Sequence, residues 1–308
     1  MSEELNVDQE LLEKIADLLG KPDGAFNIRK DSCCDSQQST DHIKITSKTD
    51  KPGIDIRIVD GTVNETCHIP VIITKPGIEE TVYNDFYIGD NCRVNVVAGC
   101  GIHNCGDETS RHDGIHTFYI GKNSHVTYTE KHYGEGDGKG GRIMNPKTLV
   151  YLGEGSTIDM QTSQIRGIDS TKRDTKIVCG KDAEAVVTEH LLTHGDQVAE
   201  SNLEIVLDGE GSRGQVISRS VAQENSSQVF YPSMVGNSAC FGHVQCDSII
   251  MDDAKIKSIP AITANCTEAQ LIHEAAIGKI AGDQILKLQT LGLTEEEAEE
   301  CILKGFLA

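Results

Sequence analysis

Hydrophobic positions along this chain change period twice. Near the N-terminus Val7, Leu11, Leu12, Ile15, Leu18 and Leu19 recur three to four residues apart, the spacing that lays apolar side chains along one helix face. Gly20 and Pro22 supply a stop, so the spacing predicts a short helix packed on the body of the protein. From Ala25 to Thr66 the period falls to two. Ile43-Lys44-Ile45 and Ile54-Asp55-Ile56-Arg57-Ile58 alternate, and Lys51-Pro52-Gly53 and Asp60-Gly61 separate the runs. Such alternation predicts strands with one buried face. Beyond Gly278 the helical period returns. Ile280, Ile285, Leu286 and Leu288 make one apolar face, Gly292 breaks it, and Thr294 with Glu297 forms a capping box. Ala298, Cys301, Ile302 and Phe306 then give an apolar stripe, free to pack on the chain's own core or to be offered to a partner groove.

The strand region repeats itself. Phe86-Tyr-Ile-Gly-Asp-Asn-Cys-Arg-Val94 matches Phe118-Tyr-Ile-Gly-Lys-Asn-Ser-His-Val126 and Val150-Tyr-Leu-Gly-Glu-Gly-Ser-Thr-Ile158, placing Gly89, Gly121 and Gly153 at equal intervals. Weaker copies follow at Gly180 and Gly209, and one without the glycine at Ile250–Ile256. Each unit reads as strand, tight glycine turn, strand, and cannot bury its apolar side unless neighbours stack on it. The expected fold is mainly β: a right-handed parallel β-helix over 69–262, preceded by a helix and strands in 1–68 and followed by a helical region in 263–308. The unit opens like one hexad of the left-handed hexapeptide acyltransferases. There the hexads run consecutively, whereas here the one that starts at Ile88 is not followed by another until Ile120, which excludes that reading.

Composition narrows the picture. Aromatics are 4% of 308 residues and Trp is absent, so the core must come from aliphatic layers, while 30 glycines against 7 prolines point to many tight turns taking positive φ. A net charge of −20 lacks the clustered Lys and Arg a nucleic-acid partner needs. The segment Met1–Glu10 carries neither a basic nor an apolar leader pattern, and no apolar run approaches a membrane span. A cytoplasmic protein is expected, with its 11 cysteines reduced and open to metal or redox chemistry.

Candidate metal ligands are dense between the first two repeats. Cys92, Cys100, His103, Cys105, His112 and His116 share one short stretch, a thiolate and imidazole supply suited to zinc or iron. This stretch reads as a loop longer than a solenoid turn requires. Cys33 and Cys34 lie in a polar segment expected to be exposed. The glycine-rich run 131–146 lacks the Gly-Lys-Ser/Thr ending of a phosphate cradle and reads as a loop. The stretch Ser218–Asn237 reads as inner strands and turns.

The stretch Gly242–Ile280 holds a thiol at Cys246 in strand-like surroundings, then His273 and Glu274 side by side. Gln245-Cys-Asp-Ser248, Leu271-Ile-His-Glu-Ala-Ala-Ile-Gly-Lys-Ile280 and Gly292-Leu-Thr-Glu-Glu-Glu-Ala298 leading to Gly305-Phe306 resemble the SufB/SufD family of iron-sulfur cluster assembly scaffolds. His273-Glu274 is SufB-like, and the segment 92–132 resembles the compact archaeal members. The resemblance implies a β-helix core flanked by helices and a homodimer formed by the core. It also implies a SufC-like ABC-type ATPase on the C-terminal helices, recipient apo-proteins, and no catalytic turnover by this chain itself. It places a nascent iron-sulfur cluster on Cys246, with Glu274 and His273 as further iron ligands. A soft thiolate to hold iron and a weaker ligand able to release it fit that task. Adjacent strand residues point to opposite faces, however, so His273 and Glu274 should not share one iron. Cys240 and Cys266 are lesser candidates. The alternatives are a structural zinc protein using Cys100, Cys105, His112 and His116, and a β-helix enzyme using Asp247, Asp252 and Asp253. Against the enzyme stands the absence of aromatic platforms for a sugar.

Overall fold

The computed structural model describes residues 6–307 of the chain. Two long sheets face each other, and from the strand Val63–Ile73 onward the chain passes from one to the other at each turn. Strands within each sheet are parallel throughout this stretch, as in the pairings of Arg93–His103 with His125–Glu135 and of Ser170–Cys179 with Val198–Leu207. This is the β-solenoid expected from the repeat, about eight turns long. Two antiparallel hairpins, Ala25–Lys30 with Cys33–Gln38 and Ile43–Ser47 with Gly53–Ile58, begin the two sheets.

Register explains the repeat. Ile56, Phe86, Phe118, Val150, Ile177, Ile205 and Met234 stand directly beside one another on successive strands. All are buried in one continuous core, and Phe86 and Phe118 stack with ring centroids 4.2 Å apart. One residue further along, the alternation turns Tyr87, Tyr119 and Tyr151 outward, where their rings stack in a second ladder at 5.3 and 5.5 Å. Aromatic platforms are therefore not absent from the surface, but these rings spend their faces on one another.

The recurrent glycines serve close stacking rather than positive φ. None of Gly89, Gly121, Gly153, Gly180 and Gly209 has a left-handed backbone; that conformation falls two residues later, at Asn91, Asn123, Gly155, Asp182 and Gly211. A Cβ on Gly121 would lie 2.6 Å from the Gly89 carbonyl oxygen, and one on Gly209 2.0 Å from the Lys181 nitrogen. Successive turns lie too close for any side chain there.

Helix α1 (Val7–Ala16) lies on the outer face of one sheet with Leu11, Ile15 and Ala16 buried. It fits because Gly99 and Gly101 present no side chains: a Cβ at Gly99 would meet the Ile15 carbonyl oxygen at 2.4 Å. Helices α2 (Gly282–Gln289) and α3 (Glu295–Phe306) follow the last strand. The Thr294 capping box is formed, α2 buries no residue, and α3 buries only Ala298. Residue 69, where the β-helix was expected to begin, lies inside the strand Val63–Ile73; the boundary at 262 cuts the strand Ala261–Ala264, and 263–308 includes the strand Gln270–Gly278, which forms the last rung of one sheet. Most of 92–132 is strand as well, leaving the connection 104–109 and the turn 121–124 between strands. In 131–146 only 136–141 and two residues before Lys147 lie outside strands. Cys33 and Cys34 are exposed, as expected, though on a hairpin strand. Ser218–Asn237 forms two solenoid strands and their turn.

Candidate functional site

Cys246 sits on the strand Phe241–Ile250, between Arg213–Ala222 and the terminal Gln270–Gly278. Alternation sends Gly242, Val244 and Cys246 inward and His243, Gln245 and Asp247 outward. Cys246 is 3% exposed. Burial pushes its thiol up to about 11, and the charges of Glu189 and Asp247 add to this while Ser258 opposes it. His273 pairs in register with Val244, and Glu274 with Gln245. His273 therefore faces inward, and its Nε2 lies 3.8 Å from Cys246 Sγ. Burial, and then His243, lower its pKa, which favours the neutral imidazole that can ligate a metal. Glu274 faces outward, with its carboxylate 3.4 Å from His243 Nε2. The two neighbours in sequence are thus divided between faces, as alternation requires.

The rung that carries this pair is the last of its sheet. Among the described residues Gln270–Gly278 is hydrogen-bonded on one side only, to Phe241–Ile250. Ile259, Ile262, Ile272 and Ile277 are exposed around the open end. Below the rung, Cys246, Ser218, Ser258 and Glu189 line a small interior cavity.

That cavity is one end of a buried charged row absent from the sequence reading. Arg173 is ion-paired with Glu130 and approaches His132 Nδ1 at 3.3 Å and Glu189 at 4.0 Å. Burial alone would raise Glu130, but Arg173 and His132 hold its carboxyl well below the usual range. For Glu189, farther from the guanidinium, burial prevails and the pKa rises; Ser201 Oγ donates to it at 2.7 Å. A signal for these residues existed. Arg173 shares its phase with Thr171, Thr175 and Ile177, and Glu189 with Ala185, Val187 and Leu191, all inward positions.

The other predicted ligands fall into three places. Cys92 occupies the buried turn position held by Ser124, Ser156 and Ser212 in other coils, and its thiol donates to the Val59 carbonyl at 3.2 Å. Cys100, His112 and His116 line an interior cavity with Glu130 and His132. His112 Nδ1 is 3.0 Å from Glu80, and His116 Nδ1 is 2.7 Å from the Tyr128 hydroxyl. Burial holds His116 down to about 4 and pushes the Cys100 thiol well up, with Glu80 and Glu130 adding to the latter. His103 and Cys105 lie on the outside, next to each other. Among the described residues no three His, Cys, Asp or Glu are arranged to hold a metal ion. Cys240 is buried and Cys266 donates to Glu268. Asp252 accepts the Glu224 amide in a turn, and Asp247 accepts from Gln245 on the outer face.

Comparison with known proteins decides the family. The domain described as "SUF system FeS cluster assembly, SufBD core domain" matches residues 82–306. The chain belongs to the SufBD family. Similar proteins include an iron-sulfur cluster assembly SufBD family protein of Methanothermobacter thermautotrophicus strain Delta H, 28% identical over 75% of this chain and 56% of the relative. Those of Methanocaldococcus jannaschii (27%, over 78% and 75%) and Archaeoglobus fulgidus (26%, over 86% and 70%) are also similar. The chain spans a little over half the length of the two Methanothermobacter relatives it matches. The SufBD match covers the rungs that carry Cys246, His273 and Glu274 and both C-terminal helices. Among the described residues no helix is long and apolar enough to cross a membrane.

Proposed function

We propose that this SufBD chain is a scaffold on which an iron-sulfur cluster is assembled, held at the open end of the solenoid by Cys246 and His273. The observation that carries the reading is the Sγ to Nε2 separation of 3.8 Å on the last two rungs of a sheet whose outer edge is unpaired. One thiol and one imidazole are too few for a cluster that takes four ligands. A second copy meeting the first at this end would supply the remainder, and the exposed Ile272 and Ile277 would be covered in the same step. Glu274, on the outer face, then serves as a ligand toward the facing copy or orients His243.

A SufC-like ABC-type ATPase is the proposed partner of α2 and α3. Leu286 on α2 and Leu291 in the link to α3 are 60% and 74% exposed, and the two helices bury little of their own surface. ATP-driven movement of the bound ATPases would act on helices that directly follow the rung carrying His273. The chain itself turns over no substrate in this reading, and apo-proteins receive the finished cluster.

Anaerobic reconstitution with ferrous iron and sulfide tests the proposal, with iron and acid-labile sulfide counted per chain. The parent is expected to bind both, and Cys246→Ser and His273→Ala to lose them. Failure of the parent to take up iron and sulfide with its ATPase present would refute the cluster reading. Zinc bound instead, and lost in Cys100→Ser, would favour the structural-metal alternative.

A further inference from the structure

A groove on the outer face of the solenoid takes no part in the cluster reading. It has a volume of about 600 Å³, and one wall is the ladder of Tyr87, Tyr119 and Tyr151. Its floor is the backbone of the turns at Gly89, Gly121 and Gly153, which carry no side chains. The amides of these glycines donate to the carbonyls of Ile58, Ile88 and Ile120 in the preceding coils, so these polar groups are spent along the stack. Arg57, Tyr87, Tyr119 and Tyr151 are successive register partners. At about 4.8 Å per rung these four rungs give the groove a length of roughly 14 Å along the solenoid axis.

Ring orientation and charge define what fits. Adjacent tyrosine planes are 10° apart in both pairs, so the two faces of Tyr119 are covered and its edge is what the groove meets. A ring edge carries partial positive charge and packs on the face of another aromatic ring; a sugar, which stacks on ring faces, finds none free here. Two carboxylates stand beside the floor. Asp60 Oδ1 would lie 2.2 Å from a Cβ on Gly89, and Asp90 Oδ1 2.5 Å from one on Gly121. Each accepts a backbone amide, from Asp90 and Lys122 respectively, and neither is ion-paired among the described residues. The other carboxylates nearby are neutralised: Lys48 holds Asp55 and Asp85, and Glu154 lies between Lys122 and Lys181. The chain's own Arg57 shows the affinity of the ladder for a planar cation, its guanidinium lying 4.2 Å over the Tyr87 ring.

We propose that this groove binds an elongated planar aromatic cation, laid along the solenoid axis with its face on the tyrosine ring edges and its positive charge toward Asp60 and Asp90. A compact cation would reach the carboxylates but cover no apolar surface, and a neutral aromatic would meet the rings but forgo the charge. A flexible peptide would have to be ordered along the groove, a cost that a rigid, flat ligand does not incur. The net charge of −20 on the whole chain favours approach of a cation to this face.

Thioflavin T is the probe, an elongated aromatic cation whose emission rises when rotation between its two ring systems is blocked. Titrated into the intact protein at low salt, it should give a saturable rise with half-saturation at about 10–100 μM, as suits a shallow, open groove. Tyr119→Phe keeps the ring and should change the affinity by less than about twofold, whereas Tyr119→Ser breaks the ladder at its centre and should weaken binding about tenfold. Tyr151→Ser, at the end of the ladder, repeats the test at a position with one ring neighbour. Asp60→Asn with Asp90→Asn retains the oxygens that accept the turn amides; it should weaken binding about three- to tenfold and remove most of its dependence on sodium chloride. Circular dichroism of each variant reports whether the fold is intact. No saturable rise below about 1 mM in the parent would overturn the proposal. So would a rise that survives both serine variants, or one indifferent to salt and to the Asp60 and Asp90 exchange. A lower mass for Tyr119→Ser than for the parent in light scattering would show that a second copy covers this face, and would overturn it as well.

Discussion

Arg173→Met removes the one guanidinium that holds the buried charged row together. The exchange keeps much of the volume, so the consequence is electrostatic. Arg173 is 7% exposed and Glu130 3%; without the cation Glu130 is left with the imidazole of His132, 3.5 Å away, the hydroxyl of Tyr128 and the more distant His116. Breaking a buried pair by deleting one partner costs about 3–5 kcal/mol, because the remaining charge is left desolvated. That is a large share of the roughly 5–15 kcal/mol by which domains are stable. In the parent, Glu130 titrates below its unfolded value, so its stabilisation is present above the unfolded carboxyl pKa of about 4.3 and is lost only as pH falls through the lower folded value. In Arg173→Met burial governs and the folded value rises above the unfolded one. The penalty is then full at pH 7.5 and relaxes as pH falls toward that raised value. Urea unfolding followed by circular dichroism at pH 7.5 and pH 5 should therefore show a gap between parent and variant that narrows on acidification. Adding Glu130→Gln should recover about 2 kcal/mol or more relative to additivity. A loss below about 1 kcal/mol, equal at both pH values and additive with Glu130→Gln, would refute the reasoning.

Three further outcomes are expected. Gly121→Ala should cost about 1–3 kcal/mol by overpacking adjacent turns, whereas Asn123→Gly, at a φ of 54°, should change thermal stability by less than about 1 kcal/mol; calorimetry separates them. Because the Cys246 thiol is pushed up to about 11, iron binding there must displace a proton. Apparent iron affinity should accordingly rise about tenfold per unit between pH 6 and 8, measured against a chromogenic chelator. For the proposed pairing of chains, Ile272→Asp with Ile277→Asp should shift the mass from dimer to the 33.4 kDa monomer in light scattering, with an unchanged circular dichroism spectrum.

The fold was legible because a solenoid repeats its register in its sequence. Phe86, Phe118 and Val150 occupy the same place in three like segments and are neighbours in space. The later coils are shorter: Val150, Ile177 and Ile205 follow one another at closer intervals than Phe86, Phe118 and Val150 do, and these coils keep little of the motif beyond its glycine. Glycine was also the source of the misreading. Gly99, Gly101 and Gly114 make the Cys/His segment look like a loop, yet each lies in a strand where something approaches: Ile15, Leu11, and the imidazoles of His112 and His116. The run Leu271–Gly278 is grouped with the helical end by the boundary at 263, although His273 and Glu274 within it read as adjacent strand residues. Its pairing partner Phe241–Ile250, not its own composition, makes it a strand.

For the candidate site, the sequence offered Cys246 and His273 but not their proximity. Cys246 and His273 are separated by one coil of this part of the solenoid, so the same period that builds the core also brings a thiol and an imidazole to one inner face. Inward donors elsewhere, such as Cys100 or His116, are capped by rungs on both sides and stay neutral and enclosed. The last rung instead leaves an inward-facing imidazole beside an edge with no further strand among the described residues. Under the proposal made above, that edge is where iron and sulfide would enter and a second chain would complete the ligand set: the interior would supply soft, neutral, desolvated donors, and the open edge the exit.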